Sequence, residues 1–187
     1  MSYKAILLDR DGVINRERGH VRSVNDFEML PGVGKAIAEL NKRGVKVALV
    51  TNQSGLARGL LTPIQLNAIH EEMNRQLALK GASLDGIFIS PWHPDLTLEG
   101  GVKKWLGEHE DRKPGVGMLK KALEKFGVAS SEAAMVGDSG KDRDAARLMN
   151  IDFFGVRSSK SDEISDEDRL FDGLDEVVEF LISQGHV

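Results

Sequence analysis

Lys4-Ala5-Ile6-Leu7-Leu8-Asp9-Arg10-Asp11-Gly12-Val13-Ile14 is an apolar run of strand length that breaks abruptly into charge and then glycine. Burying a strand whose tip carries two acids one residue apart is costly unless a cation or a bound ligand compensates. In an extended chain, side chains at i and i+2 point the same way, so Asp9 and Asp11 are expected to face one crevice. Gly12 permits a turn that most residues resist. The pair suits a divalent cation held between oxygens. Taken alone, the same four residues also describe a strand-end turn with solvated acids. The loops after the later strands decide between the two.

The chain of 187 residues can bury roughly 70% of its unfolded surface, and one domain spanning 1–187 is expected. Its 41% hydrophobic and 29% charged residues are those of an ordinary globular protein. The net charge of -4 is dispersed, which leaves no electrostatic footprint for nucleic acid or an anionic membrane. With no cysteine, disulfides, a thiolate nucleophile and a cysteine-ligated zinc site are excluded. Apolar stretches fall short of the roughly 18 residues a membrane span needs, and Asp9 interrupts any signal-peptide core. A cytoplasmic monomer is expected.

Outward from the first strand, strand-like and helix-like segments alternate. Asn15 to Leu30 reads as a polar loop or flap, and Pro31-Gly32 opens a helix that runs to about Arg43 and stops at Gly44. Val45 to Val50 is the second strand, followed by Thr51-Asn52-Gln53-Ser54-Gly55. A long helix starts with Thr62 as N-cap and Pro63 at its first position and runs to about Lys80. Gly86 to Ser90 is the third strand, Pro91 to Lys113 a polar insertion, and Gly115 to Phe126 a helix closed by Gly127. Ala133 to Val136 is the fourth strand, Asp142 to Met149 a helix, Ile151 to Val156 the fifth strand and Leu174 to Ile182 the last helix. Asp162 to Asp168 reads as an exposed acidic loop. The repeat of strand, loop and helix predicts an α/β fold, a doubly wound Rossmann-like parallel sheet with helices on both faces and no segment large enough for a separate cap.

In such sheets ligands bind outside the carboxyl ends of the strands, and every polar motif here comes directly after a strand. Thr51 and Asn52 offer a hydroxyl and backbone N–H groups to an anion. Asp138 in Gly137-Asp138 brings a third carboxylate, which magnesium could recruit together with Asp9 and the backbone carbonyl of Asp11. Asp142 is expected to cap the helix after it. Arg112-Lys113-Pro114 brings two cations to a helix entrance. His70-Glu71-Glu72 lacks the second histidine of a zinc-protease helix and reads as a solvated helix face. The Gly-Val-Gly pairs at 32–34 and 115–117 lack the rest of a dinucleotide fingerprint.

The DxDGV at the first strand, TNQSG at the second, RKP before a helix and GDxxxD at the fourth resemble, in order and context, the four motifs of the haloacid dehalogenase phosphohydrolase superfamily. Within it, residues 9–15, Asp26-Phe27-Glu28, residues 51–59 and residues 112–118 resemble the D-glycero-D-manno-heptose 1,7-bisphosphate 7-phosphatases, with histidinol-phosphate phosphatase domains as near relatives. The likeness runs from about Lys4 to about Val156. It implies a magnesium-dependent phosphomonoester hydrolase in cell-envelope sugar synthesis, acting on a small sugar phosphate. Asp9 is then the nucleophile and Asp11 the general acid and base, with Asp9, Asp11 and Asp138 at the metal. The role of Asp11 needs a carboxyl whose proton affinity exceeds that of its metal-bound neighbour. Thr51, Asn52 and Lys113 are implied at the reacting phosphate, Arg112 at the distal phosphate, and Glu17, Arg18, Gly19 and His20 at the sugar.

The chain departs from that pattern between Ser90 and Asp111, the loop of about 91–113 expected to set substrate specificity. Many relatives hold a structural zinc there with a Cys-x-His pair and a Cys-x-Cys pair, where this chain has Ser90 and Trp92, then His109 and Asp111. A structural zinc is therefore not expected, and His93, His109 and Asp111 are the only candidates for a residual site. Trp92 and Trp105 are expected as apolar anchors. Two alternatives stand beside the heptose reading: a phosphatase for histidinol phosphate or another small monoester, and a receiver-like domain that holds aspartyl-phosphate as a switch. The second carboxylate of the DxD pair argues against the switch, which needs no acid/base.

Overall fold

The computed structural model describes residues 2–164 and 169–187. Its centre is a sheet of six parallel strands, β1 (Ala5–Leu8), β2 (Lys46–Asn52), β3 (Gly86–Ser90), β4 (Ala133–Gly137), β5 (Asp152–Val156) and β6 (Leu170–Phe171), in the order β3-β2-β1-β4-β5-β6. The helices α1 (Val33–Lys42), α2 (Pro63–Ala78), α3 (Gly117–Phe126), α4 (Gly140–Leu148) and α5 (Leu174–Ser183) cover both faces. Alternation along the central strands divides the core. Ile6, Leu8, Val47, Leu49, Ala134 and Val136 pack with α1, α2 and α5, whereas Ala5, Leu7, Ala48, Val50, Ala133 and Met135 pack with α3 and α4. A strand buried on both faces has no polar side to spare, which is why β1 reads as a continuous apolar run.

Two expectations need correction. A sixth strand, β6, extends the sheet beyond β5; two residues are too few to carry a periodicity. Helix α4 begins at Gly140 rather than at Asp142. Ser139 stands at its N-cap, and Asp142, three residues on, accepts from the Ser139 backbone N–H and Oγ at 3.1 and 2.7 Å. Thr62 caps α2 as expected, with Gln65 completing the reciprocal box. Of the acidic stretch 162–168, residues 165–168 lie outside the described residues, and Asp162 is exposed in a 3-10 turn. Among the described residues, no helix is long and apolar enough to cross a membrane.

Candidate active site

Strand order reverses at β1, which has β2 on one side and β4 on the other, so the crevice opens at the carboxyl ends of β1 and β4. Asp9 is the first residue after β1 and Asp138 the first after β4. A cavity of about 170 Å³ lies there, lined among others by Asp9, Asp11, Gly19, His20, Asn52, Arg112, Lys113 and Asp138. Of the expected site residues, Glu17, Arg18 and Thr51 are not among its lining. Thr51 is buried just behind, its Oγ1 accepting from Gln53 Nε2 at 3.0 Å. Gly12 is what lets the β1 loop close on the β4 loop. Its φ is +84°, and a Cβ there would stand 1.9 Å from Asp138 Oδ2.

Three carboxylates and one ammonium define the floor. Oxygens of Asp9, Asp138 and Asp142 lie within 4.8 Å of one another. Lys113, 2% exposed, places Nζ 3.0 Å from Asp9 Oδ1, 2.6 Å from Asp142 Oδ1 and 2.7 Å from the Val50 carbonyl, so an ammonium with three protons meets three oxygens. The loop carrying Lys113 is pinned by Asn52, whose amide donates to the Lys113 carbonyl and accepts from the Lys113 N–H, each at 3.0 Å. One cation does not balance three acids. Burial, opposed by Lys113 and reinforced by Asp142 and Asp11, pushes Asp9 above the usual carboxylate range. Burial and the charge of Asp9 push Asp138 up to about 7, although Ser158 donates to it at 2.7 Å. This buried, oxygen-only set with a deficit of positive charge fits a hard divalent cation such as magnesium. Its third member by side chain is Asp142, whereas the Asp11 carboxylate is held elsewhere.

Arg10 Nη2 donates to both oxygens of Asp11 at 3.0 Å. Asn15 Nδ2 and Gln53 Nε2 add bonds of 2.9 and 3.0 Å. Burial alone raises a carboxyl, yet the Arg10 charge and these donors hold Asp11 below its ordinary range. Among the protein's own charges Asp9 is pushed up and Asp11 held down, because the buried guanidinium of Arg10 sits on Asp11; the order expected from the resemblance refers to Asp9 with its metal bound.

The outer contacts are looser. Glu17 pairs with Lys160, Arg18 with Glu28, and Gly19 and His20 reach the cavity wall. Arg112 is half-buried and donates to the Trp92 carbonyl at 2.7 Å. In the loop before it, His93 Nε2 faces Arg58 Nη2 at 2.7 Å, the His109 ring stacks on Trp92 at 4.3 Å, and Asp111 pairs with Lys121. Trp105 packs against the larger core, as expected of an anchor.

Sequence reasoning missed Arg10, Gln53, His70, Ser158 and Lys160. His70 is buried, not on a solvated helix face as expected, and its Nε2 lies 3.4 Å from Arg10 Nη1. The signal was present, since His70 falls on the α2 stripe Leu66, Ile69, Met73, Leu77, all buried.

Residues 3–150 match the haloacid dehalogenase-like hydrolase family. The chain is 42% identical over 147 residues to the D-glycero-beta-D-manno-heptose-1,7-bisphosphate 7-phosphatase of Photorhabdus laumondii, covering 79% of this chain and 76% of that protein. It is 40% identical over 150 residues to the enzyme of the same name from Escherichia coli, covering 80% and 76%. The crystal structure of D,D-heptose 1.7-bisphosphate phosphatase from B. bronchiseptica complexed with magnesium and phosphate superposes with a TM-score of 0.85 at 34% identity, covering 97% of this chain and 99% of that one. With three of the motifs at strand ends and Arg112-Lys113-Pro114 at the entrance to α3, the chain belongs to the haloacid dehalogenase-like hydrolases.

Proposed function

We propose that this protein is a phosphoric monoester hydrolase that removes the 7-phosphate of D-glycero-beta-D-manno-heptose 1,7-bisphosphate, the substrate in the names of the relatives it matches. The observation that carries the chemistry is the buried contact of Asp9 with Lys113 beside Asp138, at the point where strand order reverses. Asp9 attacks phosphorus in line: an Asp9 Oδ–P bond forms, the bond from phosphorus to the sugar oxygen breaks, and Asp11 gives that oxygen its proton. Water then attacks the aspartyl-phosphate, Asp11 takes the water's proton, and phosphate leaves with Asp9 restored.

Asp11 is already a hydrogen-bonded carboxylate, which suits the second step; an anionic phosphate drawing near raises its proton affinity for the first. Lys113 and the Thr51 hydroxyl offset charge on the transferring group, and Asn52 holds the Lys113 loop in place. Magnesium held by Asp9, Asp138 and the Asp11 backbone carbonyl would supply further positive charge there.

Arg112, on the cavity wall, serves the phosphate that does not react, and Gly19 and His20, which line the same cavity, meet the sugar; Glu17 and Arg18, paired with Lys160 and Glu28 outside that lining, are assigned to the sugar by the resemblance alone. The 91–113 loop is read as metal-free, in keeping with the partners of His93 and His109 and with the absence of cysteine. The protein is read as a cytoplasmic monomer that meets only its small substrate. Asp9→Asn tests the nucleophile: loss of turnover with the fold intact by circular dichroism is expected, and near-normal turnover overturns the assignment.

A further inference from the structure

Arg10 lies between the two acids in sequence and is only 1% exposed, so its charge has no water to rely on. Its two faces have different partners. Nη2 spans both oxygens of Asp11, and Nε lies 3.4 Å from Oδ1. On the far side, Nη1 points at Nε2 of His70, 7% exposed on the buried stripe of α2. A guanidinium has only donors, so this contact requires Nε2 as an acceptor and the proton on Nδ1. Burial and the Arg10 charge both favour that neutral imidazole. An Arg fork fixed at one end has less rotational freedom at the other, and an imidazole on a packed helix is a firmer stop than water.

We infer that His70, acting through Arg10, is a positioning residue that fixes the orientation of the Asp11 carboxylate for proton transfer. The inference rests on Asp11 being the general acid and base. It assigns a role in turnover to α2, a helix that carries none of the four motifs.

The test compares Asp11→Asn, His70→Leu, His70→Gln and Arg10→Lys with the wild type. Readouts are kcat and KM on the heptose bisphosphate, the thermal midpoint, and the burst of p-nitrophenolate from p-nitrophenyl phosphate. That leaving group needs no proton, so phosphoryl transfer to Asp9 proceeds without Asp11. His70→Leu is expected to lower kcat by roughly 10- to 100-fold on the sugar substrate with KM nearly unchanged, the scale set by a misplaced reacting group. The burst rate should be spared. His70→Gln retains an acceptor on a flexible stem and should recover most of the loss. Wild-type kcat in His70→Leu, an equal loss in the burst, or the same deficit in His70→Leu and His70→Gln overturns the inference. Should His70→Leu fail to fold, His70→Met, which lacks a nitrogen acceptor for Arg10, takes its place: lowered kcat at constant KM is expected and unchanged kcat overturns, while Arg10→Lys, which removes the Asp11 bonds directly, bounds the largest loss. Turnover surviving Asp11→Asn removes the acid/base reading itself; its loss there with normal His70→Leu removes only the role of His70.

Discussion

Nζ of Lys113 stands 3.0 Å from Oδ1 of Asp9, an ion pair at the carboxyl ends of β1 and β2 in which the aspartate opens to the cavity and the lysine is 2% exposed. Its second carboxylate, Asp142, is 2.6 Å away and 1% exposed by side chain. Removing the ammonium leaves buried charge uncompensated. Lys113→Met is expected to destabilise the fold by about 3–5 kcal/mol in the absence of magnesium and to abolish turnover. Urea denaturation with and without magnesium checks this, and the ion should recover part of the loss; an unchanged midpoint would contradict the charge balance drawn above.

Gly12 faces Asp138 with no room for a side chain. Gly12→Ala is expected to cost roughly 1–3 kcal/mol through its left-handed backbone. Because the new methyl group would displace Asp138, it should also weaken magnesium binding, measured by calorimetry on the protein without substrate. Magnesium affinity equal to the wild type would mean that the Asp138 carboxylate is not a ligand.

His70 also sets an acid limit to stability. Burial and the Arg10 charge lower its pKa from 6.5 to about 4 in the folded protein. The unfolded chain takes up the proton first as pH falls, so this contribution is fully present above about 6.5 and is lost between about 6.5 and 4. The shift corresponds to about 3 kcal/mol. His70→Gln, which cannot titrate, should show a flatter decline of unfolding free energy across that window. Parallel curves for the two proteins would show that His70 is not held neutral.

Arg112 combines a half-buried guanidinium anchored at the Trp92 carbonyl with a place on the cavity wall. Arg112→Ala is expected to lower kcat/KM for a sugar bisphosphate by about 10- to 100-fold more than for the matching monophosphate, the scale of about 1.4–2.8 kcal/mol. Equal losses on the two substrates would assign Arg112 to the loop alone.

Much of this architecture was legible because it arises from short-range chemistry. The apolar β1 run, the Thr62-Pro63 helix start and the Gly127 stop are local signals, and the structure has an element at each. Asp9, Asp138 and Lys113 were found because each stands close to a strand or helix end. What stayed hidden depends on distance in sequence. Ser158 and Lys160 come from the loop after β5, and only the sheet order brings them to Asp138 and Glu17. Gln53 stands in the loop after β2 with no role legible locally, yet its amide bonds Thr51 beside it and Asp11 42 positions away. That Asp11 is held below its ordinary range could not be read from a DxD spacing, since it depends on which acid the buried Arg10 faces.

Phosphate release in the presence of magnesium decides which substrate the site takes. The two anomers of D-glycero-D-manno-heptose 1,7-bisphosphate are compared with fructose 1,6-bisphosphate and histidinol phosphate. The beta anomer is expected to lead both fructose 1,6-bisphosphate and histidinol phosphate by about a hundredfold or more in kcat/KM, roughly 2.7 kcal/mol of transition-state discrimination, and to be preferred over the alpha anomer. Flat activity across the four, or a lead for histidinol phosphate, would contradict the heptose assignment.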